Sequence, residues 1–459
     1  MAADFVPAML ARATPVLEEQ FDFLPPFAPP CDTAAMDRIL AETARRLGDN
    51  FPYFHPLYAG QMLKPPHPIA RAAYALAMSI NPNNHARDGG RASSEMEIEA
   101  VRGIAAVFGW TEYLGHLTSG GTFANLEALW IAGQLQPGKR IVASAQAHYT
   151  HQRISAVLKL EFSTIAADPC GRMDLNALED EVRKGDVGTV VATLGSTAIG
   201  AVDPLHRILE LRERYGFRVH VDAAYGGYFR LIREELDEPA RRAYEAMEEA
   251  DSIVVDPHKH GLQPYGCGCV LFRDPAVGRF YQHDSPYTYF TSKELHLGEI
   301  SLECSRAGAS ATALWATQQL LPLTPGGEFA RGLAQGRAAA RELYRRLREH
   351  PGGVFQLPLA GAPELDIVVW KLRADTAEKA SNLADRIFVA SATRNLHLAL
   401  VQLPLSWFEG NSVNAIRNHE LVTCLRSVLM KPEHGEWLDE IWQRLLAATA
   451  EEQGESRDG

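Results

Sequence analysis

The chain predicts an α/β protein in which a mainly parallel sheet is covered by helices and followed by a smaller α+β unit. Two observations carry this expectation. From about residue 115, short runs rich in Val, Ile and Thr alternate with helical segments, the pattern of strands joined by crossover helices. Beyond residue 325 the pattern changes to long helices with two further strands near 366–372 and 397–403.

Taken in order, residues 1–34 hold prolines at 25, 26, 29 and 30 and read as an irregular arm. Thr33 or Asp32 then offers a side-chain cap to a helix running through Met36, Ile39, Leu40 and Leu47. Residues 51–68 are too rich in proline for regular structure and are expected to wrap over another surface. Helical spacing resumes at 69–78 and at 95–108, where Met96, Ile98, Val101, Ile104 and Ala105 share one side. Strands are predicted at 140–143, 189–193, 218–221, 252–255 and 269–272, with helices at 123–135, 152–160, 205–214 and 243–249 between most of them. Long helices near 309–321 and 328–348 lead to the second unit, which closes with a helix near 436–448. The expected division is an N-terminal segment over 1–70, a large domain over 71–325 and a small C-terminal domain over 326–459.

Composition narrows the function classes. A chain of 459 residues with 46% hydrophobic residues is long enough for one large core and a smaller one. Its net charge is −12 with both signs interspersed, so it offers no basic stripe to nucleic acid. The N-terminus has no early positive cluster, and no apolar run approaches the roughly 20 residues that cross a bilayer. The six cysteines are scattered, as suits a reducing compartment. A cytoplasmic enzyme acting on small molecules, with no nucleic acid and no membrane among its partners, is the expectation.

The chemistry should lie at strand ends, where parallel sheets bind ligands. Lys259 follows the apolar strand 252–255, and Asp222 ends the strand 218–221. An amine able to attack a carbonyl and a carboxylate able to keep a pyridine nitrogen protonated are what pyridoxal phosphate chemistry requires. Small residues after Asp222, from Ala223 to Gly227, leave room for a flat ring. Residues 118–125, Thr-Ser-Gly-Gly-Thr-Phe-Ala-Asn, form a glycine-bearing turn that opens a helix, which suits a phosphate and serves equally as a plain helix cap. His148 comes just after the strand at 140–143, where its ring can stack on a cofactor. His148 with His151, or His258 with His260, has metal-like spacing, but no carboxylate or cysteine completes a familiar ligand set and no metal is expected.

Together and in this order, Thr118 to Asn125, His148, Gly195-Ser196-Thr197, His220-Val221-Asp222-Ala223-Ala224-Tyr225 and Asp256-Pro257-His258-Lys259 resemble the group II pyridoxal-phosphate-dependent amino acid decarboxylases. Leu302-Glu303-Cys304-Ser305-Arg306-Ala307-Gly308 looks most like the bacterial tyrosine decarboxylase branch. The resemblance covers roughly residues 50–450 and implies a fold-type I enzyme, aspartate aminotransferase-like, with a seven-stranded type of sheet in a large cofactor-binding domain. It implies that Lys259 forms the internal aldimine, that Asp222 pairs with the pyridine nitrogen, that His148 stacks on the ring, and that Ala224 packs near its other face. Gly121 and Thr122 would hold the phosphate, helped by His258 and by Asp256, where many relatives carry asparagine. Thr197 would sit near the ring hydroxyl or the substrate carboxylate. The resemblance also implies a homodimer with shared active sites, in which a loop within 282–297 brings a proton-donating tyrosine to the neighbouring subunit. Tyr287 and Tyr289 are both candidates.

Residues 81–91 correspond to a pocket-lining stretch that is apolar in aromatic-specific relatives. Here it carries His85, Arg87 and Arg91, which favours polar or acidic substrates; His85, Arg87, Thr197 and Arg306 are the candidate substrate contacts. A carbon–carbon lyase or an aminotransferase on the same fold would keep Lys259 and Asp222, and a cofactor-free scaffold is the alternative of another class.

Overall fold

The structure, a computed structural model, describes residues 5–28, 30–282, 296–408 and 421–454. Its larger sheet holds β1 (Leu114–Thr118), β2 (Arg140–Ser144), β3 (Phe162–Ile165), β4 (Val187–Thr193), β5 (Arg218–Asp222), β6 (Ser252–Val255) and β7 (Gly268–Phe272), in the order β1-β7-β6-β5-β4-β2-β3. The pairs β2–β3, β2–β4, β4–β5 and β5–β6 are parallel, whereas β7 runs antiparallel to both β6 and β1. The chain between β6 and β7 forms turns and no helix, and β7 returns antiparallel to β6.

Alternation along the strands divides the core. Val190, Val219, Val221, Ile253 and Val255 face one layer, with Ile208, Leu209 and Leu211 of the helix Leu205–Tyr215. Ala143 and Val191 face the other layer, with Leu129 of the helix Gly121–Leu135 and Ile154 of the helix Thr150–Leu158. Every residue of β4 is buried, and each such aliphatic side chain contributes roughly 1.5–3 kcal/mol. This central rigidity fixes the carboxyl ends of β4, β5 and β6.

The smaller sheet contains β8 (Phe355–Gln356), β9 (Ile367–Leu372), β10 (Ala399–Pro404) and β11 (Leu421–Val428), paired antiparallel in the order β10-β11-β9-β8. The helices Glu328–Glu349, Ala377–Thr393 and Leu438–Gln453 enclose its core around Trp370, Leu343, Ile387, Leu425 and Ile441. None of the described helices is long and apolar enough to cross a membrane.

One expectation for the N-terminal third changes. The stretch expected to be an irregular arm contains the helix Val6–Glu18, which lies against the helix Pro68–Met78; Pro7 falls in its first turn, where proline needs no donor. Of the two capping candidates, Asp32 acts, its side chain accepting from Ala35 N at 2.9 Å. The proline-rich stretch does lie over other elements. Ala59 N donates to His397 O at 2.9 Å, Val428 N to Ala59 O at 2.8 Å, and His67 N to Leu262 O at 2.9 Å, so it spans from the smaller sheet to the larger unit.

Candidate active site

Asp222 is the last residue of β5, opposite Thr193 of β4 and Val254 of β6. Its Oδ1 accepts from Ala224 N at 3.1 Å, and its Oδ2 lies 2.8 Å from His151 Nε2. Burial by itself would raise the Asp222 carboxyl; the His151 hydrogen bond and the charges of His151 and Lys259 outweigh it and hold the group well below the usual carboxylate range. The anion is therefore fixed at the carboxyl end of β5, in the wall of a cavity. Sequence reasoning considered His151 only as a metal ligand beside His148. The missed signal was its place on the helix Thr150–Leu158, where it shares the buried stripe with Ile154 and Ser155 and so faces the sheet.

Lys259 stands in the turn after β6. Its Nζ lies 3.3 Å from Asp256 Oδ2, and its backbone N donates to Asp256 O at 2.9 Å. A Cβ on Gly261 would come within 2.5 Å of Pro257 Cα, so the turn closes only with glycine there. His258 is held by Cys267 O, 2.7 Å from its Nδ1, and its ring lies 4.8 Å from that of Tyr265.

Opposite the lysine, β1 leads into the helix Gly121–Leu135 through Ser119 and Gly120, the latter at φ 154°. A Cβ on Gly121 would sit 2.6 Å from Asp256 Oδ2, so the first turn is open to an anion only because the residue is glycine. Asp256 Oδ1 is buried without a hydrogen-bond partner beside this cradle. Ser119 N donates to Glu303 Oε2 at 2.8 Å.

Gly121, Thr122, His148, Thr197, Asp222, Ala224, Asp256, His258 and Lys259 all line one cavity of about 320 Å3. His148 is half-buried, and its Nδ1 accepts from Thr150 N at 3.3 Å. Burial lowers its pKa, Asp222 opposes this, and the charges of Lys259 and His151 add to it, so the ring is favoured neutral. An anion cradle, a carboxylate for a ring nitrogen, a neutral aromatic ring and a primary amine in one cavity fit pyridoxal phosphate.

The structure does not bring His85, Arg87 and Arg306 into the wall of this cavity. Arg87 Nη2 lies 2.5 Å from Glu95 Oε1, and His85 packs on Gly298. Arg306 is buried, with Nη1 2.9 Å from Glu97 Oε1, and lines an adjoining cavity with Ser119, Glu303 and Tyr265. These three side chains are committed to the framework around the residues 81–91, whose Asn83 bridges to Ala307. Tyr287 and Tyr289 lie outside the described residues. Among the described residues no group of three or more His, Cys, Asp or Glu side chains could hold a metal ion.

Fold and donor set define a fold-type I pyridoxal phosphate enzyme. The backbone resembles that of Oryza sativa TDC, solved with PLP and tryptamine, at a TM-score of 0.79 and 18% identity over 98% of this chain and 99% of that one. It also resembles mouse CSAD, at a TM-score of 0.77 and 21% identity over 94% and 91% of the two chains. Residues 36–372 match the family model of the pyridoxal-dependent decarboxylase conserved domain. A probable L-tyrosine/L-aspartate decarboxylase of Methanoculleus marisnigri is 30% identical over 75% of this chain and 86% of its own length. The L-tyrosine decarboxylase of Enterococcus faecium is 26% identical over 86% and 85%. The chain belongs to the pyridoxal-dependent decarboxylase family and is a carboxy-lyase that uses pyridoxal 5'-phosphate to decarboxylate an amino acid.

Proposed function

We propose that Lys259 is the residue to which the cofactor attaches, that Asp222 holds the ring nitrogen, and that the first turn of the helix Gly121–Leu135 receives the phosphate. The placement of all three around one cavity supports this reading. Bound there, pyridoxal phosphate supplies the electron sink that lets an α-carboxylate leave as CO2. The chain's own residues do the rest. Asp222 stabilises positive charge at the ring nitrogen, and His151 holds Asp222 in position and charged. His148 covers one ring face, with Ala224 near the other, and Thr197 reaches the ring hydroxyl or the substrate carboxylate. Positioning that carboxylate perpendicular to the ring selects its loss over loss of the α-proton. Tyr287 or Tyr289 then returns a proton to Cα.

The division into a segment over 1–70, a large domain over 71–325 and a small domain over 326–459, a homodimer with shared sites and a cytoplasmic location complete the proposal. His85, Arg87 and Arg306 lie outside the wall of the cofactor cavity and enter the proposal only as charged groups beyond it, through the segment 81–91, favouring polar or acidic substrates. The Enterococcus relative is named for tyrosine, an aromatic substrate, and the Methanoculleus one for both tyrosine and aspartate, so the names leave both side-chain classes open. The experiment is a screen of L-amino acids, including aspartate, glutamate, tyrosine and phenylalanine, with CO2 and products both measured. Stoichiometric CO2 and amine are expected; a keto acid or an aldehyde as the main product would replace this reading by the aminotransferase or carbon–carbon lyase alternative.

A further inference from the structure

A second cavity, of about 360 Å3, lies where the proline-rich segment, the turn after Lys259, the helix Glu328–Glu349 and the chain following β11 meet. Lys64 and Lys431 both line it, and neither makes an ion pair among the described residues. Lys64 Nζ reaches only Met430 O, at 3.4 Å, and Lys431 Nζ only Tyr58 O, at 2.6 Å, with the Tyr58 ring beneath it. Lys431 is 3% exposed. A buried ammonium without a carboxylate is costly, and a second one nearby adds repulsion. Burial lowers Lys431 to about 7, with the charge of Lys64 acting in the same direction, and burial lowers Lys64 to about 8.

Two histidines complete the basic groups in the wall: His67, half-buried, with its pKa lowered by burial and the charge of Glu328 opposing this, and His260, 1% exposed. His260 Nε2 lies 3.3 Å from Asp366 Oδ2 but out of line for a hydrogen bond, and neither ring nitrogen of His260 has a hydrogen-bond partner. The carboxylates in the lining, Glu328 and Glu433, are exposed at the rim. The remaining wall is largely apolar, supplied by Phe54, Leu262, Leu321, Phe329 and Leu333. Cations inside, carboxylates at the rim and a hydrocarbon wall match a ligand with one anionic end and an apolar body.

We propose that this cavity binds a small organic carboxylate, its anionic end between Lys64 and Lys431 and its apolar body against Phe329 and Leu333. Such a ligand would place a carboxylate between the two amines, whose pKa lowering by burial is otherwise opposed only by the charges of Asp366 and Glu433 on Lys64 and of Glu433 on Lys431. It also ties the turn following Lys259 to the smaller sheet through Lys431, so binding stiffens the contact between the two units.

Benzoate is a suitable probe, titrated by calorimetry into holoenzyme that has been reduced with borohydride to close the cofactor site. Measurements at pH 8 in HEPES and in Tris separate proton uptake from binding heat. The expected result is saturable binding with net proton uptake, because the carboxylate draws both amines to their charged form. Lys431→Met and Lys64→Gln should each weaken binding at least tenfold while the reduced-cofactor absorbance is unchanged. If Lys431→Met does not fold, the half-buried Lys64 decides through Lys64→Gln. Absence of saturable binding, binding without proton uptake, or affinity unchanged in Lys64→Gln would overturn the proposal.

Discussion

Replacing His151 by Phe tests how much of the cofactor site rests on a residue that never touches the cofactor. The pair is short and dry: Nε2 to Oδ2 is 2.8 Å, with side-chain exposures of 0% for His151 and 6% for Asp222. A hydrogen bond to a charged group contributes about 1.5–3 kcal/mol, or about 10- to 150-fold in an equilibrium that needs Asp222 ionised. Phe fills most of the imidazole space, so the loss is electrostatic rather than a cavity. Asp222 keeps only its bond from Ala224 N, and burial, now less opposed, moves its carboxyl upward. In the wild type, ionised Asp222 is secure throughout the range above the usual carboxylate pKa and loses its interactions only as pH falls below it. In the variant that loss begins at higher pH. The assay is a spectroscopic titration of cofactor affinity together with kcat between pH 5 and 8. The product of the two effects should fall about 10- to 150-fold near neutrality, with a steeper decline toward pH 5, and His151→Gln, which can still donate, should recover part of it. Cofactor affinity and kcat both within about twofold of wild type would show that Asp222 is held without His151 and refute the reasoning.

Lys259→Ala should abolish turnover and leave no borohydride-fixed cofactor on intact protein, which mass spectrometry reads directly. Asp222→Asn should fold and retain much of its cofactor affinity while decarboxylation slows by orders of magnitude, since an amide cannot balance a ring cation; near-normal turnover would reduce Asp222 to a structural cap. Of Tyr287→Phe and Tyr289→Phe, one should still release CO2 but yield aldehyde and ammonia in place of clean amine, and product analysis tells which. Asp366 gives a pH-dependent stability test. Burial raises its carboxyl from 3.8 to about 6, so the folded chain binds this proton more tightly than the unfolded one and stability falls as pH rises between those values. At about 1.4 kcal/mol per pH unit, ionised Asp366 costs up to about 3 kcal/mol at pH 8. Asp366→Asn still accepts from Tyr225 OH, which is 2.6 Å from Oδ1 in the wild type. The variant should therefore be the more stable protein at pH 8 in urea unfolding, with the gap closing toward pH 4; a gap independent of pH would contradict the assignment.

The strands that carry the site were legible because their chemistry is redundant. Val190-Val191, Val219 and Val221, and Ile253 to Val255 are β-branched positions buried on both faces, and a polar residue, Thr193, Asp222 or Asp256, ends or follows each strand at the ligand side of the sheet. β1 and β3 were not, since Leu114-Gly115-His116 has no β-branched residue and Phe162 to Ile165 is only partly buried. β11 was missed because its polar positions, Thr423, Arg426 and Ser427, break the hydrophobic pattern, although all but Thr423 are buried. The helix Val6–Glu18 was hidden by Pro7 and Pro15, proline being a stop signal in sequence and tolerable in a first turn. His151 failed differently. A histidine on an apolar helix stripe reads as core, and only the register of β5 against the helix Thr150–Leu158 reveals the carboxylate it meets.

The antiparallel return of β7 has a consequence for how Lys259 works. The turn that bears the lysine is braced within itself and against the chain entering β7, with Gln263 N donating to Pro257 O at 3.2 Å and His258 N to Cys267 O at 3.1 Å. Its main chain has no slack to give. If the cofactor attaches at Lys259, as proposed, exchange with a substrate amine would come by rotation about the four methylenes of that side chain, while the main chain beneath stays still. A longer connection carrying a crossover helix would have let the whole segment swing and widened the range of places the amine could wait. With the hairpin, an amine released from the cofactor would stay within a side chain's length of it, close enough to reclaim it once the product departs.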